Sequence, residues 1–277
     1  MKTILITGAS SGFGVATAKF FAKKGWNVIA TMRNPMANNH GLSDSTNMLV
    51  IYLDVQDQQS IKNAVAKGIT RFGRIDTVVN NAGYGLFGIF EGVPHDAIQK
   101  QFEVNVFGAM DVVREILPHF RENEAGTIIN VSSGAGAIGF PMASIYSASK
   151  FALEGWSEGL SYELGSLGIK VKIIEPGGAP QTGFMARMST ETAGVQVIND
   201  YSPFLQDMGK LYGDMAGTSE LDAVEKVVEA IYMAATDDST QLRYAPTQDI
   251  YPLLNARRST SEEEYRALTL GLFVPQD

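Results

Sequence analysis

This sequence predicts an α/β protein: one doubly wound parallel sheet covered by helices on both faces. Three observations carry the prediction. Short apolar, β-branched runs alternate with longer helical stretches through the first two thirds of the chain, the pattern of strands joined by crossover helices. The runs are nearly continuous in apolar residues, as in Ile4-Leu5-Ile6, which fits burial on both sheet faces. No linker rich in Pro, Ser or Gly divides the 277 residues and no internal repeat is visible, so residues 1–277 are expected to form a single domain.

Taken in order, the first strand is expected at 3–7 and its helix at 14–24, followed by a strand at 27–31. The polar stretch 34–47 reads as loop, and the next strand as 48–53. A helix at 58–72 leads to a strand at 77–80, a long helix at 97–120 to a strand at 127–131, and a helix at 144–167 to a strand at 170–174. Residues 184–218 depart from this rhythm: Met185, Met188, Tyr201, Phe204, Leu205, Met208, Leu211, Tyr212 and Met215 stand in weakly helical surroundings. This segment is expected to be a mobile lid. A helix near 220–234 and a strand near 241–244 complete the units.

Composition excludes several classes of function. Hydrophobic residues make up 45% and charged residues 19%, ample for a core and incompatible with overall disorder. With 22 basic against 30 acidic residues the net charge is −8, which argues against nucleic acid or an anionic membrane as partner. Cysteine is absent, which removes disulfides, thiolate zinc sites and thiol nucleophiles. His40, His95 and His119 show no ligand spacing, so no metal is expected. No signal peptide and no apolar span of about 18 residues is visible. A soluble cytoplasmic protein is expected.

After the first strand comes Thr7-Gly8-Ala9-Ser10-Ser11-Gly12-Phe13-Gly14, opening a helix. Glycines there let the backbone approach a pyrophosphate, and the helix end offers free N–H groups and a positive dipole. The strand–loop–helix context points to a dinucleotide rather than an ordinary turn. An acid at the end of the second strand would accept from the ribose 2′-hydroxyl and repel a 2′-phosphate. This chain has Thr31-Met32-Arg33-Asn34 instead, and Arg33 could fork onto a phosphate. NADP (NADPH) is therefore the expected cofactor, with NAD as the alternative.

Tyr146 and Lys150 lie four residues apart in a helical pattern and share one face. A tyrosine of ordinary pKa, about 10, is a poor base at neutral pH. An ammonium one turn away, with the positive nicotinamide in the oxidative direction, would stabilise its phenolate and lower that value. Ser133 stands just past the strand at 127–131, at the carboxyl end where ligands gather in such sheets. Its hydroxyl could hydrogen-bond a substrate carbonyl.

Together the residues Thr7 to Gly14, Asp54-Val55, Asn80-Asn81-Ala82-Gly83, Asn105, Ser132-Ser133, Tyr146 to Lys150 and Pro176-Gly177 resemble, in order and spacing, the short-chain dehydrogenase/reductase family in its shorter, non-extended branch. The resemblance covers residues 1 to about 182 and implies a Rossmann-type fold. It also implies roles. Gly8, Ser10, Ser11, Gly12, Phe13 and Gly14 would form the cofactor loop. Asp54 and Val55 would meet adenine, Ala82 and Gly83 would line the cofactor, and Asn81 would brace the sheet. Asn105 would hold a proton-relay water near the lysine. Ser133 would polarise a carbonyl, Tyr146 would exchange its proton, and Lys150 would bind ribose and tune Tyr146. Pro176, Gly177 and Thr182 would contact the nicotinamide end.

Ala30-Thr31-Met32-Arg33, the run from Tyr146 to Gly155, Leu242-Arg243-Tyr244 and Pro252-Leu253-Leu254 resemble the 17β-hydroxysteroid and retinol dehydrogenase-like members. One departure stands out. The family usually runs Pro-Gly-x-x-x-Thr, whereas Pro176-Gly177-Gly178-Ala179-Pro180-Gln181-Thr182 is one residue longer, and Pro180 lacks a backbone donor.

Residues after the strand ends should wall the substrate pocket: Tyr84, Leu86 and Phe87, then Ala135, Phe140 and Met142, then the lid. Such walls suit an apolar ketone or secondary alcohol. Arg187 in the lid reads as a solvated cation. Asn130-Val131-Ser132 matches a glycosylation acceptor but falls in a presumed buried strand, and His119 beside Pro118 falls near a helix end. The expected activity is an NADP-preferring carbonyl reductase acting on a small molecule. An NAD-dependent alcohol dehydrogenase and a non-catalytic NADP sensor are the alternatives. As in the family, the helices at 97–120 and 144–167 could pair copies into a homodimer or homotetramer.

Overall fold

In the computed structural model, which describes residues 1–37, 40–217 and 220–274, seven parallel strands stand in the order β3-β2-β1-β4-β5-β6-β7. They are β1 (Thr3–Ile6), β2 (Asn27–Met32), β3 (Met48–Tyr52), β4 (Thr77–Asn80), β5 (Gly126–Val131), β6 (Ile169–Ile174) and β7 (Arg243–Tyr244). The order reverses between β1 and β4, so the crossovers on either side diverge and leave a crevice above the carboxyl ends of these two strands.

Alternation along each strand splits the core into two layers. Leu5, Ile29, Val78, Ile128 and Val171 face one side. There they meet Ile61 and Val65 of α2 (Gln58–Phe72), Ile116 and Phe120 of α4 (Gly108–Glu122), and Leu160 of α5 (Ser144–Gly165). Ile4, Ile6, Val28, Val79 and Ile129 face the other, against Phe21 of α1 (Gly12–Lys23) and Val227 and Ile231 of α8 (Ala223–Thr236). This two-sided burial is why the strands read as unbroken apolar runs.

The structure departs from the expected elements at two places. The long helix expected at 97–120 is α3 (His95–Phe102), a π-helical turn over Glu103–Phe107, and then α4. The turn holds Asn105, whose side chain is drawn to the backbone of Tyr84; such bulges are frequent at functional sites. The lid region is more helical than its composition suggested: α6 (Phe184–Thr192) and α7 (Ser202–Gly217) form there, though Met208 is their one buried residue among those described. Thr218, the expected end of the lid, and Asn38 and Asn39 of the 34–47 loop lie outside the described residues.

Beyond β7 the chain adds α9 (Tyr251–Ser259) and α10 (Glu262–Phe273), whose Phe273 meets Phe140 with ring centroids 5.6 Å apart. His119 lies in the last turn of α4, where its Nε2 accepts the Ile75 N–H at 3.1 Å. Asn130 is fully buried on β5 and donates to Ser157 Oγ at 2.7 Å, so it is a core polar residue. No described helix is long and apolar enough to cross a membrane.

Candidate active site

The crevice is one cavity of about 880 Å³ running along the strand ends. At one end stands the loop between β1 and α1. Gly8 and Gly12 have φ of +68° and +52°, a region that side chains rarely enter. A Cβ on Gly8 would also stand 2.9 Å from Ala82 Cα. Asn81, at the end of β4, donates through Nδ2 to Thr7 O at 2.9 Å and Gly8 O at 3.1 Å, while its backbone N–H donates to Thr7 Oγ1 at 3.0 Å. Ser11 makes no side-chain cap at the start of α1, so the first-turn N–H groups are left for an anion. The cradle fits a pyrophosphate.

Gly8, Ser10, Ser11, Gly12, Phe13, Asn81, Ala82 and Gly83 line this end of the cavity, and Arg33, Asp54 and Val55 line its flank. Gly14 sits behind the loop, against Gly8 O, and supports it from beneath. Arg33 is exposed at the tip of β2.

At the other end Ser133, Tyr146, Lys150, Pro176 and Gly177 face the same cavity, whereas Thr182, expected there, lines it beside Gly12, with its Cβ 3.3 Å from where a Cβ on that glycine would stand. Ser133 stands two residues past the end of β5, and its Oγ accepts the Ala135 N–H at 3.2 Å. Tyr146 and Lys150 lie one turn apart on α5, with the lysine ammonium 5.9 Å from the phenol ring centre and donating to Val131 O at 2.8 Å. Phe87 and Phe184 flank Tyr146, with ring centroids 6.0 and 5.8 Å away.

Burial pushes the Tyr146 phenol up to about 12, and a hydrogen bond with Ser133 pulls against that rise. Burial likewise pushes Lys150 down to about 8, with the Glu154 carboxylate acting in the opposite sense. In the protein alone the phenol therefore stands above its ordinary value, because excluding water from the phenolate outweighs its stabilising contacts. At neutral pH Tyr146 holds its proton.

Asn105 is 2% exposed and reaches Tyr84 N–H with Oδ1 at 3.1 Å and Tyr84 O with Nδ2 at 2.9 Å. Its side chain is engaged in shaping the Gly83-Tyr84 wall. Tyr84, Phe87, Ala135, Phe140 and Met142 line the cavity, joined by Phe184, Met185 and Met188 of α6 and by Tyr212 and Met215 of α7. Leu86 instead packs into the core, 2% exposed. Arg187 also differs from expectation. It is half-buried, with its guanidinium 4.8 Å above the Tyr84 ring and its Nε 3.7 Å from Glu191, so a ring face and a carboxylate replace solvent around its charge.

Sequence reasoning missed an acid layer behind Lys150. Glu154, one further turn along α5, is 6% exposed and accepts from Arg243 Nε at 2.9 Å. Fully buried Glu175 pairs with Arg258 of α9. Burial, then Glu175, pushes the Glu154 carboxyl up to about 7 against the pull of Arg243 and Ser132. An acid on the same face as Tyr146 and Lys150 was the available signal. Among the described residues no group of three or more His, Asp or Glu side chains is placed to hold a metal ion.

Comparison with known proteins agrees with this architecture. Residues 2–193 match the family described as short chain dehydrogenase, and the chain belongs to that family. An uncharacterized oxidoreductase of Schizosaccharomyces pombe is 42% identical over 233 residues, covering 84% of this chain and 94% of that one. Mouse 17-beta-hydroxysteroid dehydrogenase type 1 is 32% identical over 92% of this chain and 76% of its own. A short-chain dehydrogenase from Streptomyces avermitilis superposes with a TM-score of 0.80 at 33% identity, covering 98% of this chain and 97% of that one. Two further solved neighbours carry different cofactors. ElxO was solved with NADP bound (TM-score 0.69, 25% identity, 88% and 97% coverage), and a 3-ketoacyl-(acyl-carrier-protein) reductase from Brucella melitensis with NADH (TM-score 0.73, 27%, 89% and 96%). The protein is thus an oxidoreductase, a nicotinamide-dependent dehydrogenase/reductase of this family.

Proposed function

We propose that the protein is an NADPH-preferring carbonyl reductase for apolar ketones, the reverse reaction oxidising the secondary alcohols. One observation carries the reading: a single cavity has Ser133, Tyr146 and Lys150 at its apolar end and Arg33 on the flank of its glycine-lined end. Hydride chemistry is supplied by the nicotinamide cofactor when bound. Gly8, Ser11, Gly12 and Phe13 would hold its pyrophosphate, Asp54 and Val55 its adenine, and Arg33 its 2′-phosphate.

Ser133 donates its hydroxyl to the substrate oxygen and orients the carbonyl. Tyr146, protonated at neutral pH, delivers its proton to that oxygen as negative charge develops there. Lys150, already tied to Val131 O, offers its remaining donors to a ribose and its charge to the phenolate left behind. Phe87, Phe140, Phe184 and Met142 exclude water and favour an apolar substrate. The helices α6 and α7 act as the lid, and the outer faces of α4, of the π-helical turn before it and of α5, with Phe107, Phe151 and Tyr162 exposed, pair copies of the chain.

The test is initial rates on a panel of apolar ketones and alcohols with all four nicotinamide species, for the wild type and for Arg33→Asp. The wild type is expected to favour NADPH, and Arg33→Asp to invert the preference toward NADH by at least about tenfold, the scale of one lost charge-assisted contact. An unchanged cofactor ratio defeats the role of Arg33. Absence of turnover across the panel, with tight cofactor binding, defeats the reductase.

A further inference from the structure

The chain beyond β7 returns to the strand ends and closes on the two segments nearest Tyr146. Gly177 and Gly178 follow β6 and begin the segment that is one residue longer than the family pattern. The Gly177 N–H donates to Thr247 Oγ1 at 2.8 Å, and the Gly178 N–H donates to Asp249 Oδ2 at 2.7 Å. The Asp249 carboxylate lies flat against the Gly177 Cα, in the volume that a side chain on residue 177 would occupy. Its neighbour Ile250 fills the corresponding volume over Gly134 in the turn after Ser133. The Gly134 N–H in turn donates to Pro176 O at 2.8 Å. Three segments distant in sequence are thereby locked together at the apolar end of the cavity.

Asp249 lines that cavity, yet its Oδ1 is buried and accepts no hydrogen bond. A buried acceptor without a donor costs stability, and native proteins keep few of them.

We propose that Asp249 is a positioning residue for the nicotinamide half of the cofactor, holding Gly177 and Gly178 flat so that the longer segment up to Thr182 leaves the space beside Tyr146 open. This rests on the proposed dinucleotide reading of the cavity. Hydride must reach the carbonyl carbon whose oxygen Tyr146 and Ser133 hold, so the nicotinamide belongs at this end and the adenosine half at the Arg33 end.

The experiment compares two ligands by calorimetry: NADPH, which spans both ends, and 2′,5′-ADP, which carries the adenosine half alone. Asp249→Ala should weaken NADPH by about tenfold, the scale of one backbone donor left unpaired, and leave 2′,5′-ADP unchanged. Asp249→Asn keeps an acceptor for Gly178 and should stay within about threefold of the wild type. Gly177→Ala displaces the same segment with the acid intact, and should show the same ligand-selective loss even where Asp249→Ala folds poorly. Equal weakening of both ligands would mean a general structural role, and NADPH affinity unmoved in Asp249→Ala and Gly177→Ala would leave the segment without a positioning residue; either outcome overturns the proposal. Should the wild type bind 5′-ADP better than 2′,5′-ADP, the NADPH preference falls by itself, and the same comparison with NADH and 5′-ADP decides Asp249.

Discussion

Asn81→Ala tests how the cofactor loop is held to the sheet. The substitution deletes two hydrogen bonds, from Nδ2 to Thr7 O at 2.9 Å and to Gly8 O at 3.1 Å. It spares the bond from the Asn81 backbone N–H to Thr7 Oγ1. Each lost bond contributes roughly 1 kcal/mol net, so the pair amounts to about 2 kcal/mol. Urea unfolding followed through the two tryptophans, Trp26 and Trp156, reports the change. With a denaturant slope of about 3 kcal/mol/M the midpoint should fall by about 0.7 M. Asn81→Asp is the sharper control: it preserves shape but has no donors and sets a carboxylate against two carbonyl oxygens, so it should lose at least as much. A midpoint for either variant within about 0.2 M of the wild type would refute the bracing role.

Tyr146→Phe removes one hydroxyl and should lower kcat by at least about 10²-fold, while NADPH affinity measured by fluorescence stays near that of the wild type; full turnover would end the proton-donor assignment. Glu154→Gln concerns stability against pH. Because the folded carboxyl is raised from 4.5 to about 7, its contribution to stability is complete below about pH 4.5 and is lost as pH rises through about 7. The melting temperature of the wild type should fall between pH 5 and 7, below the range in which Lys150 titrates, and Glu154→Gln should flatten that fall. Equal slopes in the two proteins would assign the effect to another group.

Much of the site was legible in the sequence because its parts obey short-range rules. A period of 3.6 residues sets Lys150 one turn from Tyr146 on α5, whatever else the chain does. Ser133 reaches the crevice because β5 ends two residues earlier, at Val131. The glycines before α1 announce a backbone that must turn tightly beneath a ligand.

What eluded the sequence depends on partners far along the chain. Asn105 sits in a π-helical turn with its side chain bonded to the Tyr84 backbone, and no periodicity encodes that contact. Arg187 reads as a surface charge until the fold lays it over the Tyr84 ring beside Glu191.

The sequence by itself determined the layered sheet and the loop–serine–tyrosine–lysine order, since strand burial and helix period act between near neighbours. The tertiary structure alone decided the protonation of the site and the shape of its far wall. Burial, which sets the proton affinities of Tyr146, Lys150 and Glu154, exists only once the layers have closed. Asp249 meets Gly178 because β7 pairs with β6, a juxtaposition that chain topology creates and local pattern does not contain.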